Sequence, residues 1–188
     1  MTDRISSDRR RSIRLPAYDY AQPGAYFITI VTASRLCLFG DVTDDAVRLS
    51  PAGVIANDEL RRTERLRDGV EIDAYVVMPN HIHAILWLLD GGTAPTQQGT
   101  ARRAPTYDAL RRFGKPASNS LSTIVGAYKS AVTKRIRATR HQPALEVWQR
   151  GYYEHIIRTE AALTNIRAYI GQNPRLWSED PENPLSTQ

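Results

Sequence analysis

Ala74-Tyr-Val-Val-Met-Pro-Asn-His-Ile-His-Ala-Ile-Leu-Trp-Leu-Leu89 is the most apolar run of the chain and contains two of its four histidines. Two apolar segments that meet at Pro79-Asn80 predict an antiparallel hairpin, with strands from Val70 to Met78 and from Ile82 to Leu89. Side chains two residues apart on a strand point to the same face, so His81 and His83 are expected side by side. Two imidazoles on one face can provide two of the ligands of a metal ion. Such a pair can also be ordinary polar side chains on a half-exposed strand, with no ligand role.

The remaining elements follow from residue composition and from capping signals. Further strands are predicted from Tyr26 to Thr32, Leu36 to Phe39, Ala46 to Leu49 and, at a sheet edge, Val147 to Ile157. Helices are predicted from the Ser50 N-cap to about Leu66, from Leu121 to Arg137, and from the Thr159 N-cap to Asn173. A hairpin without an intervening helix, in a chain that mixes strands and helices, indicates an antiparallel sheet covered by helices.

The chain divides into a core and polar flanking segments. Residues 1–24 form a basic arm, and residues 25–177 form one domain with a flexible insertion at about 90–119. Residues 178–188 are a polar tail. The segment from Arg175 is expected to pack loosely apart from Trp177, although it could instead cover a site.

Charge favours a polyanionic partner. The 188 residues include 25 Lys and Arg against 20 Asp and Glu, a net charge of +5. Clustered basic residues favour nucleic acid over a membrane, and the candidates for DNA phosphate contacts are Arg10, Arg11, Arg14, Lys129, Lys134, Arg135, Arg137 and Arg158. No apolar segment has the length of a membrane span, and the single Cys37 excludes a disulfide framework. A cytoplasmic protein is expected.

The last predicted helix offers the second half of a site. Tyr169 and Asn173 lie four residues apart and therefore on one helix face. The Tyr169 ring borders the apolar stripe, so its hydroxyl can reach a cleft. The amide oxygen of Asn173 is a hard ligand that suits Mg²⁺ or Mn²⁺. With His81 and His83 it would leave positions open for water and phosphate oxygens. A tyrosine on an amphipathic helix is nevertheless more often a packing residue of the core or surface than a catalytic nucleophile.

Three blocks of sequence carry a resemblance to a known family. Met78-Pro-Asn-His-Ile-His83 resembles the HUH motif of single-tyrosine transposases, two histidines around a bulky apolar residue. Trp148-Gln-Arg-Gly-Tyr-Tyr-Glu-His-Ile-Ile-Arg158 and Tyr169-Ile-Gly-Gln-Asn-Pro174 resemble the C-terminal signature of the REP-associated tyrosine transposases, which occur with repetitive extragenic palindromes. The opening Ile13-Arg-Leu-Pro-Ala-Tyr-Asp-Tyr20 fits one branch of that group. The resemblance extends from about residue 12 to Trp177.

This resemblance implies an α+β fold, with a ferredoxin-like, RRM-related antiparallel sheet and helices packed on it. It also implies Mg²⁺- or Mn²⁺-dependent cleavage and rejoining of single-stranded DNA at palindromic hairpins, through a 5′-phosphotyrosine. His81 and His83 match the metal ligands and Tyr169 matches the nucleophile. Asn173 stands where insertion-sequence relatives have a glutamine ligand. The resemblance leaves a monomer or a homodimer open, because insertion-sequence relatives are dimers that exchange their tyrosine helices whereas REP-associated members can act as monomers.

Three alternatives remain open at this point. Tyr152 or Tyr153, close to His155, could be the nucleophile in place of Tyr169. The protein could be a non-catalytic module of RRM-like fold that binds single-stranded nucleic acid by stacking on exposed aromatic rings. It could also be a metal-dependent hydrolase in which water attacks the phosphate and no protein-linked DNA forms.

Overall fold

The computed structural model describes residues 22–89 and 120–186. Its strands and helices are β1 (Gly24–Val31), β2 (Gly40–Thr43), β3 (Ala46–Leu49), α1 (Pro51–Arg65), β4 (Val70–Val77), β5 (His81–Leu88), α2 (Leu121–Arg140), β6 (Tyr153–Ile157) and α3 (Glu160–Gln172). Most of the basic arm predicted over 1–24, and the whole insertion predicted at about 90–119, lie outside the described residues.

The main sheet has four antiparallel strands in the order β4-β5-β1-β6. When the β2–β3 hairpin and the last helix α3 are left out, the elements follow one another along the chain as β1-α1-β4-β5-α2-β6. The first strand, β1, is one of the two central strands of the sheet. This topology confirms the predicted α+β, ferredoxin-like fold. Strands β2 and β3 form a separate two-stranded hairpin.

Helices cover both faces of the main sheet. Helices α1 and α2 pack on one face, where the largest cluster of buried side chains includes Tyr26, Ile28 and Leu86. Helix α3 packs on the other face, where Leu163 and Ile170 contact a smaller buried cluster. Because side chains alternate along β5, His81 and His83 belong to the face that α3 covers.

Capping residues set where the helices begin. The Ser50 hydroxyl accepts a hydrogen bond from the Gly53 amide at 3.1 Å, and Pro51 occupies the first turn of α1, as predicted. A Cβ at Gly53 would lie 2.0 Å from the Phe39 carbonyl oxygen, so glycine permits this close approach. Thr159 caps α3 through the Ala162 amide at 3.2 Å. Among the described residues, no helix is long and apolar enough to cross a bilayer.

Two predicted strands are corrected by the structure. The segment Leu36–Phe39 is not a strand: the Phe39 side chain is fully buried and packs on the Trp148 ring at 5.2 Å, and β2 begins at Gly40. Its apolar residues reflect burial and not strand pairing. The edge strand is confined to Tyr153–Ile157, because Gly151 has a φ of 79° and the Lys129 ammonium binds the carbonyls of Gln149 and Gly151. Helix α2 continues three residues beyond the predicted Arg137.

Candidate metal and tyrosine site

His81 and His83 begin strand β5, and both side chains are buried. Their ring centroids lie 4.5 Å apart. The Thr29 hydroxyl, opposite His83 in the β1–β5 register, lies 2.9 Å from His83 Nδ1. Asn80 Oδ1 lies 2.9 Å from His81 Nδ1. Each imidazole is therefore oriented through Nδ1, which leaves Nε2 directed toward the site.

The tautomer of His81 follows from the contacts of Asn80. The Asn80 amide nitrogen donates to the backbone oxygens of Arg35 at 3.1 Å and Glu182 at 2.6 Å. Its Oδ1 must then accept from His81, so the His81 proton is on Nδ1. His81 Nε2 consequently carries a lone pair, and it is buried without a hydrogen-bond partner among residues 22–89 and 120–186. A lone pair of this kind is what a metal ligand offers.

Helix α3 brings Tyr169 to the histidines. The Tyr169 hydroxyl lies 3.2 Å from His83 Nε2, and the two ring centroids lie 5.1 Å apart. The side chain is 41% exposed, so the phenol stands between the buried imidazoles and solvent. Tyr153 contacts the Phe27 ring at 6.2 Å, and Tyr152 packs against the core on the opposite face of the sheet. Of the three tyrosines, Tyr169 has the direct contact with a histidine.

Asn173 lies at the C-cap of α3 and is 1% exposed. Its amide nitrogen donates to Asp180 Oδ2 at 3.2 Å. Its Oδ1 is buried and has no hydrogen-bond partner in the part of the chain that the structure describes. A buried carbonyl oxygen without a donor is uncommon in folded proteins, and it is free here to coordinate a cation.

Asp180 is the site residue that sequence reasoning missed. After α3 the chain turns back through a short 3-10 segment at Trp177–Glu179 and places Asp180 Oδ2 3.8 Å from His81 Nε2. One ligand atom from each of His81, His83 and Asp180 lies within 4.8 Å of the other two. The expectation of a loosely packed tail is wrong, because Asp180 and Asn183 are both buried. The only sequence signal was Trp177, an apolar residue in an otherwise polar segment.

Burial disfavours the charged form of both imidazoles. Burial lowers the pKa of His83 well below its ordinary value, and the neighbouring His81 lowers it further. Burial also lowers the pKa of His81, although the carboxylates of Asp180 and Glu182 oppose this. Partial burial raises the pKa of the Tyr169 phenol, and the negative charge of Asp180 adds to the effect. The cluster thus combines neutral nitrogen donors with a buried carboxylate, which favours a cation.

The predicted DNA contacts lie elsewhere. Lys129, Lys134, Arg135 and Arg137 are on α2, which packs on the sheet face opposite the histidines. Arg135 pairs with Glu59 at 2.8 Å, and Arg137 Nε donates to the Leu145 carbonyl at 2.9 Å. Lys134 is exposed, as is Arg158 just after β6. Arg10, Arg11 and Arg14 lie outside the described residues.

An open groove runs along this side of α2, with a volume of about 760 Å³. The residues that line it are mostly basic, small or polar, together with one tryptophan: Lys129, Ser130, Thr133, Lys134, Arg137, Ala138, His141, Pro143 and Trp148. Burial lowers the pKa of Lys129, whose ammonium is held by backbone carbonyls. Lys134 and Arg137 are therefore better placed than Lys129 to meet a phosphate.

Comparison with known proteins places the chain in a family. It is 35% identical over 171 residues to an uncharacterized protein of Haemophilus influenzae. The aligned region covers 91% of each of the two chains. The solved structure of a REP-associated tyrosine transposase bound to a REP hairpin matches with a TM-score of 0.53 and 20% identity, over 96% of this chain and 81% of that one. No protein-family model matches the sequence. The chain therefore belongs to the family of the Haemophilus protein, and it has the fold of a REP-associated tyrosine transposase, as its sequence blocks predicted.

Proposed function

We propose that the protein is a transposase that cleaves and rejoins single-stranded DNA at hairpins, with Tyr169 as its nucleophile. The observation that carries the proposal is the 3.2 Å contact between the Tyr169 hydroxyl and His83 Nε2. The Tyr169 phenol is half-exposed and lies on the solvent side of the buried His81, His83 and Asp180, whose side chains could bind a metal ion. A phosphate that approaches from solvent would meet the phenol and the cluster together.

A divalent cation, Mg²⁺ or Mn²⁺, fits the residues of this cluster. His81, His83 and Asp180 would hold it, with the Asn173 amide oxygen as a further donor. Support comes from His81 Nε2 and Asn173 Oδ1, two buried atoms that have no hydrogen-bond partner within the described structure. A mixed set of imidazole and oxygen donors suits both ions, and Mn²⁺ tolerates imidazole better than Mg²⁺ does. The bound ion would supply positive charge that polarises the scissile phosphate.

The covalent step belongs to Tyr169. Its phenol oxygen forms a bond to phosphorus while the bond from phosphorus to the 3′ oxygen breaks, and the departing oxygen takes up a proton as a 3′-hydroxyl. The phenol loses its own proton in the attack, which costs free energy because its pKa is raised. The 5′-phosphotyrosine preserves the bond energy, so a 3′-hydroxyl can attack later and rejoin the strands.

DNA binding would use the basic residues outside the cluster. The transposase of matching fold was solved with a REP hairpin, and we propose a folded single strand as the substrate of this chain as well. Lys134 and Arg137 in the α2 groove, and Arg158 beyond β6, are the described candidates for phosphate contacts. The arginines of the N-terminal arm would add to them.

A covalent-adduct assay tests the proposal. A DNA hairpin with single-stranded flanks is labelled at its 3′ end and incubated with protein and Mn²⁺ or Mg²⁺. We expect a labelled protein band on a denaturing gel that is lost with chelator and lost in Tyr169→Phe. Tyr153→Phe is the matched control, because it removes a half-exposed phenol from the same sheet face and should keep the adduct.

Other outcomes would assign a different function. An adduct that persists in Tyr169→Phe would move the nucleophile to another tyrosine. Cleaved DNA without any adduct in the wild-type protein would indicate hydrolysis by water. Tight binding of the hairpin with neither cleavage nor adduct would indicate a non-catalytic nucleic-acid-binding module.

A further inference from the structure

Strand β6 presents side chains beside the candidate site that the proposed chemistry does not use. Of the strands that the structure describes it pairs with β1 alone, so it is an edge of the main sheet as described. In the register of that pairing Tyr153 lies opposite Thr29, the residue whose hydroxyl contacts His83. His155 lies opposite Phe27. Tyr153 and His155 thus lie on the same sheet face as His81 and His83.

Tyr153 extends an aromatic cluster that includes the proposed nucleophile. The Phe27 ring stacks on His83 with centroids 5.4 Å apart, and it meets the Tyr169 ring edge-on at 6.1 Å. Tyr153 contacts the same Phe27 ring at 6.2 Å. Phe27 is 9% exposed, whereas Tyr153 is 49% exposed. Phe27, the buried member, contacts both His83 and Tyr169, whereas Tyr153, the outer member, presents aromatic surface to solvent.

We propose that Tyr153 is a stacking platform for one nucleobase of the single strand, next to the phosphate that Tyr169 attacks. The inference rests on the proposed function, because a strand whose phosphate reaches Tyr169 must pass along the adjoining surface. Phe27 separates the two tyrosines, so a strand that contacts both would place a base close to the scissile phosphate. Stacking on tyrosine uses the π-face that every base has, so this contact would tolerate different bases.

Charge around the subsite also favours a nucleic acid strand. Arg158 follows β6 directly and is exposed. A cation at the end of the strand that carries Tyr153 can contact the phosphate of a neighbouring nucleotide. The exposed ring and the nearby guanidinium together match the base and the backbone of one stretch of single-stranded DNA. The α2 groove, on the opposite sheet face, would contact a different part of the substrate.

A double-mutant cycle between protein and DNA tests the platform. Binding is measured by fluorescence anisotropy in a Tyr169→Phe background with chelator, so that no covalent step contributes. The probe is a DNA hairpin with a short single-stranded flank, in which an abasic site is moved through the flank one position at a time. Tyr153→Leu should weaken binding of the intact hairpin by roughly five- to hundredfold, the range for loss of one stacked base. Tyr153→Trp should bind at least as tightly as the parent.

The cycle separates stacking from a structural role. At one flank position the abasic site should remove most of the effect of Tyr153→Leu, while at other positions the effect should persist in full. Unchanged binding in Tyr153→Leu, or an equal loss at every abasic position, would overturn the platform. The adduct assay on the wild-type protein is read separately. An adduct without coupling would refute the platform alone, and coupling without an adduct would refute the proposed strand transfer alone.

Discussion

Arg167 on α3 forms a bidentate ion pair with Asp73 on β4. Its Nε lies 3.1 Å from both carboxylate oxygens, and a terminal nitrogen lies 2.7 Å from Oδ2. The Trp87 indole also donates to Asp73 Oδ2, at 3.1 Å. Arg167 stands two residues before Tyr169, so this pair ties the tyrosine helix to the sheet that carries the histidines. The pair therefore sets the position of the helix that carries Tyr169 relative to the sheet.

Loss of this pair should slow formation of the adduct more than it weakens DNA binding. Arg167→Ala leaves the nucleophile intact but frees α3 to shift, and small misplacements of a reacting group cost large factors in rate. We expect the single-turnover rate of adduct formation to fall by about tenfold or more, with hairpin affinity within about twofold of the parent.

Charge reversal supplies the control for that prediction. The double variant Arg167→Asp with Asp73→Arg should recover part of the rate that each single variant loses. Global stability should change little, because the Arg167 side chain is half-exposed and ion pairs at the surface add little to stability. If Arg167→Ala formed adduct at the parent rate, the ion pair would have no positioning role.

Asp180 should be required for tight cation binding. A carboxylate removed from water beside two imidazoles is unfavourable unless a positive charge compensates it. Asp180→Asn keeps the shape of the side chain and removes the charge, so we expect the affinity for Mn²⁺ to fall by about tenfold or more in calorimetric titration. Glu179→Gln removes an exposed carboxylate next to it and should leave the affinity unchanged. Equal affinities in the two variants would exclude Asp180 as a ligand.

Local periodicity predicted most of the site, and the missing residue shows the limit of that approach. The two-residue spacing of His81 and His83 and the four-residue spacing of Tyr169 and Asn173 each fix one face of one element. Asp180 has no such spacing, since its position depends on a turn of irregular chain that folds back on β5. The strand predicted from Leu36 to Phe39 was wrong for a related reason. Burial of Phe39 in the core gives this segment the same apolar pattern as a strand.

The stability of the metal-free protein should fall as the pH drops below about 6.5. Burial holds the pKa of His83 well below its ordinary value, whereas the unfolded chain has the ordinary value, about 6.5. Between the two values the unfolded state binds more protons, so acid favours unfolding. Urea unfolding in chelator over a pH series should show this slope, and His83→Gln should reduce it. A slope that survives in His83→Gln would assign the acid sensitivity to other groups.

Lys134 and Arg135, adjacent on α2, should differ in their effects on DNA binding. Lys134 lines the open groove and is exposed, whereas Arg135 is engaged by Glu59 at 2.8 Å and by Asp58 at 3.8 Å. If the groove receives a phosphate, Lys134→Ala should lower the slope of log affinity against log salt by about 1. Arg135→Ala should leave that slope nearly unchanged. It should reduce stability, because the buried Glu59 loses its 2.8 Å partner and keeps only the Arg62 guanidinium at 3.9 Å among the described residues. Anisotropy titrations of the hairpin at several salt concentrations measure the slopes. The same slope for Lys134→Ala and the parent would remove the groove from the DNA interface and leave backbone contacts to Arg158 and the N-terminal arm.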